Sequence, residues 1–175
     1  MGTKTVHGRD GFKTRAHLDE PAPAASVAPT MRIKGCLSME TAFVRPITPE
    51  QGDFDELGHV NNAVYLRWAQ DIAVAHWEAA ADAALKKAYL WVVLRHEIDY
   101  RDPVLPGDAV LASTWINAQA EGPRFDRHVD IRKTGAARPA ARLKSTWVLL
   151  DAATRRPRRV GPDILQAFGA AGDEA

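Results

Sequence analysis

Disulfide chemistry is closed to this sequence, because its 175 residues include a single cysteine, Cys36. One thiol forms no internal bridge, and with no secretory signal ahead of it the pattern suits a reducing cytoplasm. No paired His and Asn mark Cys36 as a nucleophile. Long apolar runs are also missing. The most apolar stretch, Leu90 to Leu94, has strand length, far short of the roughly 18 residues a membrane helix needs. An excess of one charge is lacking too: 23 Lys and Arg face 22 Asp and Glu, for a net +1, so the molecule as a whole is not a polyanion binder. His76, His96 and His128 show no metal-ligand spacing, and no metal is expected. What remains, 46% hydrophobic and 26% charged residues, is the composition of one globular domain with a real core.

The charge that is present is unevenly spread. From Gly122 to Arg159 eleven basic residues face three acidic ones, whereas from Glu40 to Glu121 six basic residues face thirteen acidic ones. The densest cluster, Arg155, Arg156, Arg158 and Arg159, suits phosphate through its guanidinium forks. A solvated strand face is the plainer account of the same residues. No aromatic-interleaved basic motif accompanies them, so nucleic acid is not an expected partner.

Composition divides the chain into a flexible N-terminal extension over 1–34, one domain over 35–168 and a short tail over 169–175. The extension is rich in Gly, Thr, Pro and Ala and develops no apolar face. A strand pattern starts near Leu37 and carries Phe43, Val44 and Ile47. Asn61 and Asn62 then offer helix caps, and a helical stretch runs to about Lys87, with Tyr65, Trp68, Ile72, Ala75 and Ala79 on one face. Beyond it the period changes to two. Leu90–Tyr100, Ala109–Ala118, Phe125–Lys133 and Ala141–Leu150 read as strands, separated by turn signals such as Leu105-Pro-Gly-Asp108 and Thr134-Gly135. One long helix followed by a run of hairpin-spaced strands is an α+β architecture.

Chemistry concentrates between Asp53 and Tyr65. There a carboxylate-rich loop meets Gly58, which permits a sharp turn, and the chain enters a helix whose first N–H groups lack intrahelical partners. Those donors, at the positive end of the helix dipole, can polarise a carbonyl or hold an oxyanion. Asp55 precedes them by a few residues, so a single bound carbonyl could meet both. Carbonyl activation beside a carboxylate is what thioester hydrolysis requires.

This stretch resembles the hotdog thioesterases of the 4-hydroxybenzoyl-CoA thioesterase-like family, whose signature Asp-x-Asp-x-x-Gly-His-Val-Asn-Asn-x-x-Tyr opens their long helix. Asp53, Asp55, Gly58, His59, Val60, Asn61, Asn62 and Tyr65 fill every position. Arg95 to Tyr100 with the turn after it resembles the family's second strand, and Thr146 to Asp151 its last. The link from Pro46 to Gly52 is longer than the family's. The resemblance implies a hotdog fold, a long central helix wrapped by a five- to six-stranded antiparallel sheet. It also implies an acyl-CoA thioesterase with no cofactor, assembled as a homodimer or homotetramer with active sites between subunits. Carried over position by position, Asp55 is the catalytic carboxylate, as nucleophile or general base. Asn62 supplies the N–H for the thioester oxygen, and Gly58 and His59 shape the turn. Asn61, Tyr65, Arg95, Arg155 and Arg156 are the expected substrate-binding residues. Asp53 is expected to be structural. Asp71 is the reserve carboxylate, because another hotdog lineage places its own on the helix. A hotdog hydratase wants an Asp and a His five positions apart, whereas Asp55 and His59 are four apart. A non-catalytic acyl-CoA-binding module on the same fold is the reading from another class. Acyl identity, and CoA against acyl carrier protein, are not legible.

Overall fold

A computed structural model describes residues 42–117 and 120–169. Cys36, the 1–34 extension, the start of the first strand near Leu37 and the end of the tail lie outside the described residues. Strand β1 covers Phe43–Ile47, helix α1 Asn62–Ala80, helix α2 Ala83–Ala88 and strand β2 Tyr89–Tyr100. Strands β3, β4 and β5 cover Val110–Ile116, Arg124–Lys133 and Ala141–Asp151, and helix α3 covers Pro162–Ala167. The five strands form one antiparallel sheet in the order β1-β3-β4-β5-β2. This is the α+β arrangement expected, with β1 and β2 at the two edges.

Alternation explains the central strands. On β3, Val110, Ala112, Thr114 and Ile116 are buried, while Leu111, Ser113 and Trp115 are half-buried. Strands β4 and β5 repeat the period, sending Phe125, Val129, Ile131, Leu143, Trp147 and Leu149 inward. Their other face carries the charge. Asp126 lies 3.0 Å from Lys144, and Asp130 is held by Arg142 at 2.8 Å, with Arg132 at 3.6 Å. Cross-strand pairing of this kind stabilises the face, but Asp126 and Asp130 are already among the three acidic residues between Gly122 and Arg159, so the basic excess of that stretch remains.

Helix α1 packs Val64, Tyr65, Trp68, Ala69, Ile72, Ala73 and His76 into the interior. The expected stripe holds at Tyr65, Trp68 and Ile72, but Ala75 is only half-buried and Ala79 is exposed. The helix also ends sooner than the composition suggests. Ala81 is extended, its N–H bonded to the Trp77 carbonyl at 2.9 Å, and Asp82 starts α2 by accepting from Leu85 N–H at 2.8 Å. An aspartate is more stable as an N-cap than inside a helix, and the chain breaks there despite the good helix formers around it. The long link before Asp53 folds into a 3-10 turn, Gln51–Asp53, closed by a reciprocal cap between Glu50 and Asp53.

Strand β2 is the exception to alternation. Its pairing with β5 shifts between Val93 and Arg95, leaving Leu94 as the extra residue. That bulge sends Trp91 and Val93 inward before it and His96 and Ile98 inward after it. Most of the strand is exposed or half-buried. No helix among the described residues is long and apolar enough to cross a membrane.

Candidate active site

The Asp53–Asn62 segment folds as a small hairpin leading into α1. Phe54 bridges Val60, Asn61 N–H donates to the Asp53 carbonyl at 2.8 Å, and Asp55 N–H donates to the His59 carbonyl at 2.8 Å. The tip closes with Gly58 N–H on the Asp55 carbonyl at 3.0 Å, and Gly58 sits at φ 74°, a conformation that costs other residues strain. Asp55 is half-buried. Its Oδ1 accepts from Leu57 N–H at 2.9 Å and His59 N–H at 3.3 Å. One oxygen is thus tied to the turn, and Oδ2 takes no hydrogen bond among the described residues. His59 enters the site through its backbone.

Asn61 is the helix cap, its Oδ1 accepting from Ala63 N–H at 2.9 Å. Asn62 is the first helical residue, and among the described residues its N–H finds no acceptor. Its carbonyl accepts from the Tyr100 hydroxyl at 3.0 Å, which ties the helix start to the end of β2. The hairpin is anchored by Asp53, which is 2% exposed. Asp53 accepts from Glu50 N–H at 3.0 Å and pairs with Arg67, the structural part expected of it.

The structure brings Asp55, Gly58, His59, Asn61 and Asn62 together, buries Tyr65 one turn along α1 against Tyr100, and places Arg95, Arg155 and Arg156 elsewhere on the sheet. Tyr65 is buried, and its hydroxyl accepts from Val104 N–H at 3.2 Å; burial pushes its phenol pKa up. It pins the loop after β2 and offers no surface to a substrate. Arg95 is 70% exposed and bonds Glu97 at 3.3 Å. Its register partner Thr146 faces away from α1, bonded to Asp126, so the sheet lies between Arg95 and the hairpin. Arg155 and Arg156 follow Asp151, which pairs with Tyr89, whereas the hairpin end of the sheet is marked by the Tyr100 and Ala141 pair. At roughly 3.3 Å per residue those ends lie about 36 Å apart, too far for one protomer to use both on one substrate. Asp71 is exposed and lines a cavity of about 340 Å³ between β1 and α1 with Arg45, Asp53 and Arg67.

One buried polar cluster escapes the sequence reading. His76, 2% exposed, stacks on Phe43 at 5.0 Å and meets Phe168 edge-on at 4.8 Å. Its Nδ1 lies 2.9 Å from Arg127 Nη1, which also donates to Thr114 Oγ1 at 3.0 Å. Burial, and then the Arg127 charge, hold the imidazole pKa down at about 3. His76 is therefore neutral and accepts from Arg127 through Nδ1. The available signal was parity: Arg127 falls at an inward position of β4 between Phe125 and Val129.

Comparison with known proteins decides the family. The thioesterase-like superfamily matches residues 36–168. The chain belongs to that superfamily. Membership places it among the thioester hydrolases. Solved structures agree in fold. A predicted thioesterase from Bacillus stearothermophilus is 24% identical, with a TM-score of 0.64 over 73% of this chain and 93% of that one. A Thermus thermophilus thioesterase solved with coenzyme A and zinc is 24% identical, with a TM-score of 0.62 over 71% and 90%. A 1,4-dihydroxy-2-naphthoyl-CoA thioesterase from Synechocystis is 18% identical, with a TM-score of 0.62 over 73% and 95%. No curated protein matches. The shared architecture is the hotdog fold, and this superfamily member carries it with five strands among the described residues.

Proposed function

We propose that this superfamily member hydrolyses acyl-CoA thioesters without a cofactor, with Asp55 as its carboxylate and the Asn62 N–H as its oxyanion donor. The observation that carries the reading is the hairpin. It presents, on one short segment, a carboxylate oxygen and a helix-start N–H that take no partner among the described residues. Asn62 lies three residues beyond His59, the partner of Asp55, a separation of about 10 Å along an extended chain. An aspartate side chain, an attack distance of about 3 to 3.5 Å, a carbonyl bond of about 1.2 Å and a hydrogen bond of about 2.9 Å together bridge that gap. The coenzyme A complex of the Thermus protein and the naphthoyl-CoA substrate of the Synechocystis enzyme support a CoA thioester.

Negative charge accumulates on the thioester oxygen as the carbonyl carbon becomes tetrahedral. A fixed donor there is worth roughly 3 to 4 kcal/mol, and the helix dipole adds to it. Asp55 either attacks the carbonyl carbon, expelling CoA thiolate and leaving a mixed anhydride for water, or takes the proton of an attacking water. The Oδ1 bonds to Leu57 and His59 fix the carboxylate rotamer for either role. Assembly as a dimer would close the site from the exposed side.

The test is thiol release from a panel of acyl-CoAs by wild type and Asp55→Asn. The expected result is turnover on at least one member, falling about a hundredfold or more in the variant at an unchanged melting temperature. Turnover indifferent to Asp55 would transfer the carboxylate role to Asp71. Binding without turnover across the panel would make the chain an acyl-CoA-binding module.

A further inference from the structure

The turn that follows β5 carries the arginine cluster. Asp151 N–H donates to the Arg156 carbonyl at 2.9 Å, Arg155 N–H donates to the Asp151 carbonyl at 2.9 Å, and Leu150 bridges Pro157. Ala152 N–H donates to the Ala88 carbonyl at 2.9 Å, which sets this hairpin against the C-terminal end of α2. Lys86 and Lys87 therefore join Arg155, Arg156, Arg158 and Arg159 at one end of the molecule. Two of these six cations are accounted for. Lys86 pairs with Glu78 at 2.7 Å, and Arg158 lies 3.6 Å from Asp151 and 5.5 Å over the Tyr89 ring. Lys87, Arg155, Arg156 and Arg159 are exposed and take no carboxylate among the described residues. The acids beside them are engaged: Asp151 Oδ1 accepts from Thr154 N–H at 2.8 Å and from its hydroxyl at 2.9 Å, and Asp163 accepts from the Tyr89 hydroxyl at 3.3 Å. Arg155 also sits at φ 57°, and among the described residues no other non-glycine has a positive φ. Glycine would hold that conformation with less strain, so the tip gives up stability to keep a charge there, a pattern that points to use.

We propose that this end of the protein binds the phosphate headgroups of an anionic lipid surface, reversibly and without insertion. Arginine forks suit phosphate, since each can donate two N–H groups to one headgroup. What the end lacks narrows the partner further. From Ala152 to Arg159 there is no aromatic residue on which a nucleic-acid base could stack. Nor is there a large apolar side chain to anchor a protein interface; Ala152, Ala153 and Thr154 are small. Attraction to a layer of phosphates needs neither, and each cation held there adds about fivefold to partitioning. The end of the sheet that carries the Asp55 hairpin lies about 36 Å away, so a lipid surface bound at the arginines does not cover that hairpin.

The experiment sediments the full chain with vesicles of phosphatidylcholine alone or with about 30% phosphatidylglycerol, at roughly 0.05 and 0.5 M NaCl. Binding is expected to the anionic vesicles alone, and only at the lower salt. Arg156→Ala and Arg155→Gly should each weaken it about fivefold. Arg155→Gly should at the same time raise the melting temperature, because it relieves the turn, and this separates loss of charge from loss of fold. Arg138→Ala removes one exposed charge from the turn before β5, at the opposite end of the sheet, and should change binding less than about twofold. No sedimentation with the anionic vesicles overturns the proposal. So does an equal loss in Arg138→Ala, which would make the attraction a property of net charge. Sedimentation that persists at the higher salt overturns it in favour of apolar insertion. Two soluble probes, pyrophosphate and polyglutamate, are titrated into the chain without vesicles. Saturable binding of either one, with no vesicle binding, overturns the proposal in favour of a small phosphate ligand or an acidic protein.

Discussion

Acidification from pH 8 to pH 4.5 isolates the buried imidazole of His76. In the folded chain this ring is neutral, with its pKa at about 3; released by unfolding it returns to about 6.5. A folded pKa below the unfolded one means that the unfolded chain binds the extra proton. The stabilisation is therefore complete above pH 6.5 and is lost as pH falls from there toward 3. At pH 4.5 the unfolded histidine is almost fully charged and the folded one is not. At about 1.36 kcal/mol per pH unit, the two units below 6.5 amount to about 2 to 3 kcal/mol, a large share of the 5–15 kcal/mol of an ordinary domain. His96 and His128 are also held below their usual values by burial and act in the same direction, so the comparison must be with a variant. His76→Gln keeps an oxygen acceptor for Arg127 and removes the titration. Urea unfolding followed by fluorescence at pH 8, 6.5, 5.5 and 4.5 should show wild type losing about 2 to 3 kcal/mol more than His76→Gln across that range. Equal losses in the two proteins would refute the reasoning, because they would mean that the ring takes up its proton inside the fold.

Gly58→Ala should cost about 1 to 2 kcal/mol in chemical denaturation, since φ is 74° and a Cβ there would meet no neighbour, leaving only the backbone penalty. A loss of thioesterase activity greater than the loss of folded protein would show that the tip geometry also aims Asp55. Tyr100→Phe removes the hydroxyl that holds the Asn62 carbonyl. It should lower kcat several-fold with little change in KM and shift stability by no more than about 1 kcal/mol. An unchanged kcat would free the helix start from dependence on β2.

The strands were legible because each central one alternates over most of its length, the exceptions being the buried Asp130 on β4 and Val148 on β5. The observed β4 and β5 begin and end within one residue of the alternation. The sharp turn at Gly58 and the helix start were legible because that glycine and the paired asparagines carry local signals that need no tertiary context, whereas the hairpin they close was not read. Ala79 and the break at Ala81 were misread for one reason: alanine favours a helix wherever it stands, and the Asp82 cap that interrupts the run is a single side chain among good helix formers. Arg155 and Arg156 were placed with the substrate on charge alone. Whether two segments share an end of a sheet depends on strand order, which a linear pattern does not reveal. Arg127 and His76 went unread because an inward arginine looks like any other arginine until the register of its strand is known.

The bulge at Leu94 has a consequence for insertions and deletions. Leu94 is 57% exposed and tolerates substitution by anything that keeps a strand. Removing it is tolerated for the same reason. With Leu94 gone, Arg95 would follow Val93 directly and still stand opposite Thr146, while His96, Ile98 and Tyr100 would keep the partners and the inner face they have now. The charges would stay outside and the helix start would keep its tether at Tyr100. Leu94 is therefore the one residue β2 can lose without changing its register with β5.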